Sequence, residues 1–256
     1  MEGLMTLSLI TIVRNHAAGF RRTARSVLDH APDNAEWVVI DGASTDGTGA
    51  AIAAVAPRIA THVSEPDRGI ADAFNKGVAR ASGDYVLFLN AGDCLAPGAA
   101  FSLARLLDTH RGAPVIVGRI ELAGRRHGRS APFWRQYLHN QLPHQAMLIR
   151  RDLFATFGTY DRTRHFGMDY EWSLRLCPVW RQIVFVNELL TIMEPGGTSI
   201  ANAGKTLTAY HHARVQHFGM APLSLAVLLS YQAKRLALRP FKPALNAVRA
   251  RRLAPG

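Results

Sequence analysis

The stretch W-V-V-I-D-G-A-S-T-D-G-T, Trp37 to Thr48, decides the reading of the fold. Four apolar residues, Trp37–Ile40, run into the carboxylate of Asp41, and Gly42, Ser44, Thr45 and Asp46 follow at once. A short apolar run closed by turn residues reads as a buried strand. Ser44 or Thr45 is placed to cap the next helix, and Gly42 and Gly47 permit a tight turn. In an open α/β sheet, ligands sit beyond the carboxyl ends of the strands. Asp41 therefore stands where a nucleotide base can be held, or it simply closes a well-capped turn.

The rest of the first half repeats the pattern. Strand-like runs lie at Leu7–Val13, Ile59–Val63, Tyr85–Leu89 and Val115–Ile120. Between them Phe20, Ala24, Val27 and Leu28, then Ile70, Ala73, Phe74 and Val78, recur at helical spacing. Such alternation predicts parallel βαβ units with helices on both faces of one sheet. The second half is less regular. Gly124–Pro132 reads as a basic, turn-rich loop, Asp152–Phe157 and Met168–Leu176 as helices, and Pro195-Gly196-Gly197 as a break. From Lys205 onward the pattern is helical, interrupted at Pro222, Pro240 and Pro243.

Each early strand ends near a polar group. The first delivers Arg14 and Asn15, and the second Asp41. The third leads into Ser64-Glu65-Pro66-Asp67-Arg68-Gly69, and the fourth ends in Asn90-Ala91-Gly92-Asp93. If the strands are parallel, carboxylates, an arginine and asparagines gather on one sheet edge, which favours a nucleotide and metal site.

Composition bounds the alternatives. The 256 residues suit one large domain, or one domain with an appendage. Two cysteines, Cys94 and Cys177, form no disulfide framework or zinc pattern and suit a reducing cytosol. Glu2 sits where a signal peptide needs positive charge, and no stretch is long enough to span a membrane. Of the formal net charge of +11, nine positive charges follow Glu194 with no Asp or Glu among them, leaving +2 for the first 194 residues. The apolar block Leu223–Leu229 beside these basic residues suggests a segment lying in an anionic membrane interface; the competing reading is a helix packed on the domain. Nucleic-acid binding is the bland reading of the tail and is not expected. Gly204-Lys205-Thr206 is no phosphate loop, because Ser199 stands where a glycine is needed, and Gly47-Thr48-Gly49 lacks the third glycine of a dinucleotide fingerprint.

The ordered set L-S-L-I-T-I-V-R-N, V-I-D-G-A-S-T-D-G-T, S-E-P-D-R-G-I-A-D-A-F-N-K-G and G-D-Y-V-L-F-L-N-A-G-D resembles the nucleotide-sugar domain of family 2 glycosyltransferases, inverting enzymes of the GT-A fold. P-H-Q-A-M-L-I-R-R at Pro143–Arg151, F-G-T-Y-D at Phe157–Asp161, M-D-Y-E-W-S-L-R-L at Met168–Leu176 and G-G-T-S at Gly196–Ser199 extend the resemblance, which is strongest to bacterial members that extend surface polysaccharides. It implies a Rossmann-like, mostly parallel α/β sheet in a catalytic domain over 1–204, with a donor half at 1–120, an acceptor half at 121–204 and a basic helical extension at 205–256. It implies that Asp41 accepts a hydrogen bond from the base, that Asp67 and Arg68 line the nucleoside and diphosphate, that Asp93 holds a divalent Mn or Mg ion, and that Asp169 is the general base. Thr11, Arg14, Asn15, Ser44, Asp72, Asn75, Asn90, Ala91 and Gly92 complete the expected donor site, and His144, Gln145, Glu171 and Trp172 the acceptor or diphosphate side. The family's D-x-D motif is reduced here to Asp93, which suffices for a hard cation bound mostly by substrate phosphates. The absence of Q-x-x-R-W argues for one sugar per event.

Several of these residues keep a bland alternative. Asp169 could be a helix-start carboxylate favoured by the macrodipole. Asp72, Asn75 and Lys76 could form a solvated helix face, His144 could be a satisfied loop histidine, and Trp134 and Trp172 could be core or wall. Two further functional readings are a sugar nucleotidyltransferase and an inactive nucleotide-sugar-binding protein. The expected partners are a nucleotide-sugar donor, a glycan or lipid-linked acceptor and an anionic membrane surface; the expected location is cytoplasmic, peripheral at the inner face of the cell membrane.

Overall fold

The computed structural model describes residues 5–197 and 201–237. Contacts divide the chain into two units, Met1–Pro195 and Gly196–Gly256. In the first, nine strands form one sheet among the described residues. They are β1 (Leu7–Val13), β2 (Glu36–Asp41), β3 (Thr61–Ser64), β4 (Tyr85–Phe88), β5 (Cys94–Leu95), β6 (Val115–Leu122), β7 (Arg125–His127), β8 (Met147–Arg150) and β9 (Val184–Met193). Seven α-helices accompany them: α1 (Ala17–His30), α2 (Thr48–Ala53), α3 (Ile70–Arg80), α4 (Ala99–Thr109), α5 (Phe133–Leu138), α6 (Leu153–Thr156) and α7 (Met168–Leu174).

The strand order is β3-β2-β1-β4-β8-β6-β9-β5, with β7 paired to β6. The first four strands are parallel, as the βαβ alternation predicts. Beyond β4 the sheet is mixed: β8 runs antiparallel to β4 and β6, and β9 parallel to β6. The Gly124–Pro132 stretch is less loop-like than its composition suggests. Ala123 and Gly124, at φ 50° and 72°, make a two-residue turn between β6 and β7. Positive φ at both central residues matches the twist of a hairpin, and the glycine accommodates it without a Cβ.

Strand alternation sorts the core. Leu7, Leu9 and Val13 of β1, with Trp37 and Val39 of β2, face Phe20, Ala24 and Val27 of α1 and Leu103 and Leu106 of α4. Ile10, Val38, Ile40, Val86 and Phe88 face Phe74 and Val78 of α3 and Phe154 and Trp172 beyond them. Both faces of β1, β2 and β4 are therefore covered, which is why these strands read as continuous apolar runs. Two expectations change. Leu28, placed on the buried stripe of α1, is exposed. Thr11, expected at the donor, is fully buried on the α1 face and accepts the indole N–H of Trp37 at 3.0 Å.

The face behind α3 is aromatic. His144 stacks on Phe88 with centroids 4.6 Å apart and lies beside Phe74, while its Nε2 meets the Tyr160 hydroxyl at 2.7 Å. Trp172 stacks on Phe154 at 4.7 Å and donates its indole N–H to the Gly158 carbonyl at 2.8 Å. Both were candidate acceptor or diphosphate contacts. Their burial corrects that expectation: His144 is 5% exposed and Trp172 1%. Trp134, read as core or wall, is instead exposed, with the Arg135 guanidinium 5.2 Å above its ring.

The second unit holds two helices among its described residues, α8 (Ala203–Phe218) and α9 (Ala221–Ala237). Gly219, at φ 64°, ends α8 in the left-handed conformation, and Pro222 falls in the first turn of α9, where proline is tolerated. The pair is pinned by Ser224, whose hydroxyl accepts Arg214 Nε–H at 2.8 Å and meets His211 Nδ1 at 2.9 Å. Thr198 and Ser199 of the G-G-T-S stretch, and Arg239, Lys242, Arg249, Arg251, Arg252, Pro240 and Pro243, lie outside the described residues.

Burial pushes the His144 pKa down to about 3, so the ring is neutral. In the unfolded chain it would titrate near 6.5. Between these values the unfolded chain binds the extra proton, so the contribution is complete above about pH 6.5 and falls as pH falls. The expected loss by pH 4.5 is about 2–3 kcal/mol. Denaturant unfolding at pH 7.0 and 4.5 should show this loss in the wild type and a clearly smaller one in His144→Gln. Equal losses in the two proteins would remove His144 as the acid-sensitive group.

Candidate functional site at the carboxyl edge of the parallel strands

The chain leaves β1 towards β2 and β3 on one side and later returns to β4 on the other. The ends of β1 and β4 therefore flank a topological switch point, where loops diverge and open a crevice. Three groups of polar residues stand along this edge.

The first is the Asp41 turn. Asp41 is 2% exposed, and its carboxylate accepts the Ser44 hydroxyl at 2.5 Å, the Ser64 hydroxyl at 2.6 Å and the Ser44 amide at 3.1 Å. Ser44 is thus spent on Asp41 and on the Asn15 amide, at 2.8 Å, rather than on a helix cap. Asp46 does the capping instead, accepting the Ala17 amide at the start of α1 and the Thr48 amide at the start of α2. The Thr48 hydroxyl, foremost, holds the Asp46 carboxyl below its ordinary range. Asn15, at φ 50°, accepts the Thr45 amide at 2.8 Å and so ties the loop after β1 to the loop after β2. Arg14 is exposed at the end of β1.

The second group centres on Lys76 of α3. Its ammonium lies 2.7 Å from Asp67, 3.0 Å from Glu65 and 3.7 Å from Asp72. Burial disfavours its charge, but the hydrogen bonds it donates to Asp67 and Glu65 outweigh that and raise its pKa. Asp72 is held below its usual range by the Arg68 amide, 3.1 Å away, and by Lys76 and Arg162. The alternative of a solvated face does not hold for Asp72, which is buried, and Asn75 exchanges two hydrogen bonds with the Tyr160 backbone, at 2.8 and 2.9 Å. Both ends of the Asn75 amide are committed, which corrects its expected place among the donor contacts. Arg68 is exposed. Gly42 marks the close approach of the first two groups: a Cβ there would stand 2.7 Å from Asp67 Oδ2 and 3.2 Å from the Arg14 side chain.

The third group is Asn90–Asp93 at the switch point. The Ala91 amide bonds the Ile12 carbonyl, and Thr23 of α1 gathers the loop by donating to the Asp93 carbonyl at 2.7 Å and accepting the Gly92 amide at 2.9 Å. Gly92 takes φ 106°, and a Cβ on it would collide with Glu194. Glu194, just past β9, pairs with Arg22, approaches His16 at 3.6 Å and donates its amide to Asp93 Oδ1 at 2.9 Å. Burial raises the Asp93 carboxyl to about 7, with the Glu194 charge adding to the rise and its amide opposing it. Asn90 Oδ1 is buried without a hydrogen-bond partner.

Among the described residues no three His, Cys, Asp or Glu side chains converge as a metal cage. The donor set still fits a hard divalent cation. Magnesium-type sites use one or two carboxylates and leave the remaining positions to phosphates and water. A buried carboxylate lifted to about 7 and an unpaired amide oxygen three residues before it supply that minimum.

Asp169 stands in a separate group, beyond the parallel strands. It lies in the first turn of α7, which follows Gly167 at φ 67°. Its Oδ2 accepts Asn140 Nδ2 at 3.3 Å, and Asn140 is held by Gln136, which also donates to Ser173 at 2.6 Å. Burial raises its pKa above the ordinary carboxylate value, against backbone hydrogen bonds and Asn140. The residue as a whole retains partial exposure. Glu171 turns the other way, as two residues on a helix must. It is buried and grips Arg175 through both oxygens, at 2.9 and 2.7 Å, so it is a bracing residue rather than the expected acceptor contact. Gln145 is half-buried, with its carbonyl accepting the Thr191 hydroxyl. The Asn75–Tyr160 bonds link the segment before α7 to α3.

Ser64, Lys76, Glu194, Asn140 and Gln136 escape a reading along the sequence. Gln136 with Asn140 and Lys76 with Asp72, each pair four residues apart, carry a local signal; Glu194 meets Asp93 across 101 positions.

The sequence matches the profile of Glycosyl transferase family 2 over residues 8–171. It is 35% identical over 184 residues to an uncharacterised glycosyltransferase of Mycobacterium tuberculosis, covering 68% of this chain and 70% of the relative. It is 28% identical over 174 residues to a PGL/p-HBAD biosynthesis glycosyltransferase of Mycobacterium bovis, covering 66% and 68%. The fold is shared with residues 1–349 of S. aureus TarS in complex with UDP-GlcNAc, at TM-score 0.63, 14% identity and coverage of 89% of this chain and 72% of that one. It is likewise shared with the mannosyltransferase PcManGT of Pyrobaculum calidifontis in complex with GDP-Man and Mn2+, at TM-score 0.59, 18% identity and coverage of 97% and 80%. The switch-point crevice thus lies in a GT-A fold, and the chain is a glycosyltransferase belonging to glycosyl transferase family 2.

Proposed function

We propose that the protein transfers one sugar, with inversion, from a nucleotide diphosphate sugar of the UDP type to a hydroxyl of a glycan or lipid-linked acceptor in cell-surface polysaccharide or glycolipid synthesis. The observation that carries the reading is Asp169: a carboxylate raised by burial and oriented by Asn140, on a residue that keeps partial exposure. A general base needs a pKa drawn towards the working pH and a fixed direction. The relative named for PGL/p-HBAD biosynthesis supports the acceptor class, and the fold's likeness to structures holding sugar nucleotides supports the donor class.

In this reading Asp169 takes the proton of the acceptor hydroxyl as the oxygen bonds to the anomeric carbon. The bond from that carbon to the diphosphate breaks on the opposite side, and the nucleoside diphosphate leaves with the electron pair. Asp41 reads the base through its N–H, and Arg14 and Arg68 stand exposed at the diphosphate end. Asp93 and Asn90 would hold a divalent cation, which supplies charge neutralisation for the departing diphosphate.

Asp169→Asn preserves shape and removes proton-accepting power. Transfer should fall by roughly 10²–10⁴ with donor affinity nearly unchanged. Near-wild-type transfer would eliminate Asp169 as the base. Asn140→Ala removes a hydrogen bond to the carboxylate, so the acidic limb of kcat should move to higher pH; a stationary limb would detach Asn140 from the chemistry.

Donor binding is separable from transfer. By calorimetry, Asp41→Ala should weaken UDP binding by about 1.5–3 kcal/mol, the range for a charge-assisted hydrogen bond. Asp93→Ala should abolish the manganese dependence of UDP binding. Unchanged UDP affinity in the first variant, or surviving metal dependence in the second, would overturn the role given to that residue.

A further inference from the structure

Helix α9 carries an apolar face that is exposed among the described residues of its unit. Pro222, Leu225, Ala226, Leu229, Ala233 and Leu236 follow one another at helical spacing, and at 100° per residue they fall in an arc of about 100° that no polar residue shares. All six are exposed, with Leu225 at 45%, Leu229 at 54% and Leu236 at 65%. The other side of α9 holds Ser224 and Leu228, which are buried, and Ser224 anchors the helix to Arg214 and His211 of α8. Spacing of this kind normally seats a helix on a core. Left in the open, it marks a docking surface.

Charge selects what docks there. No Asp or Glu follows Glu194, while Lys234 is exposed on α9 and Arg235, Arg239, Lys242, Arg249, Arg251 and Arg252 follow in the sequence. Two copies of this unit would bring cationic segments together with no acidic residue to form an interhelical ion pair. An anionic lipid surface meets both features at once. Among the described residues no helix is long and apolar enough to cross a membrane, which leaves a helix lying in the interface plane.

We propose that α9 docks on an anionic lipid bilayer, with Leu225, Leu229 and Leu236 in the boundary between headgroups and acyl chains and the basic residues on lipid phosphates. The test is cosedimentation of the full chain with phosphatidylcholine vesicles, with and without phosphatidylglycerol, at low and high salt. The wild type should bind the phosphatidylglycerol vesicles at least about tenfold more tightly than the neutral ones and lose this preference as salt rises. Leu225→Ser/Leu229→Ser/Leu236→Ser, with unchanged far-ultraviolet dichroism, should weaken binding by about tenfold or more. Lys234→Glu/Arg239→Glu/Lys242→Glu should erase the preference for anionic vesicles. Should the serine variant misfold, Leu229→Trp gives an independent readout: its emission should shift to the blue on anionic vesicles. Equal binding to both vesicle types, undiminished binding by the folded serine variant, or no blue shift would overturn the proposal. So would a full chain that is dimeric, ignores vesicles and becomes monomeric in the serine variant, which would assign the face to a second copy.

Discussion

Everything in the catalytic unit depends on the double parallel pairing of β1. Its residues bond to β2 along one edge and to β4 along the other, and both of its faces are covered by apolar side chains. A strand satisfied on all four sides cannot move, so the points where its loops depart are fixed. The chain then builds β2 and β3 on one side before crossing to β4, and the crevice between the loops follows from that order of assembly. Asn15, Asp41 and Asn90–Asp93 lie along one edge because the parallel register sets the carboxyl ends of three strands side by side.

The edge so formed is rich in carboxylates: Asp41, Glu65, Asp67, Asp72, Asp93 and Glu194. Such an edge repels a diphosphate unless most of that charge is already answered. The structure answers it unevenly. Asp41 is satisfied by hydroxyls, Glu65, Asp67 and Asp72 share Lys76, and Glu194 is paired with Arg22. Asp93 has the Glu194 amide and no cationic partner among the described residues, and its carboxyl rises to about 7. The place where countercharge is lacking is the place where an arriving cation gains most. Glu194 also explains Gly92, since its carboxylate occupies the space a side chain would need.

Read from the sequence, the parallel half of the fold was legible because it is local. Leu7–Val13 is a strand in the structure with the same bounds, and Trp37–Ile40 and Tyr85–Leu89 lie within a residue of theirs. Apolar runs closed by Asp, Asn and Gly report their own ends. Asp169 at the start of a helix and Asp41 at the end of a strand were likewise visible as types at positions. The mixed half was not legible, because pairing between β6, β8 and β9 joins residues far apart and leaves no periodic trace.

Side-chain direction was decided by the tertiary structure alone. Thr11, His144, Glu171 and Trp172 lie in motif stretches, yet the first turns to Trp37, the second to Tyr160, the third to Arg175 and the fourth to Phe154. Trp134, which hydrophobicity assigns to the interior, stays outside under Arg135. The amino-acid sequence by itself determined the alternating elements, the positions of the acidic strand ends and the basic character of everything after Glu194. Which acids are neutralised, which polar residues are consumed in holding the scaffold, and which leucines of α9 face outward were settled only by packing. Those outcomes turn on partners up to 172 positions away, and no local pattern encodes a partner at that range.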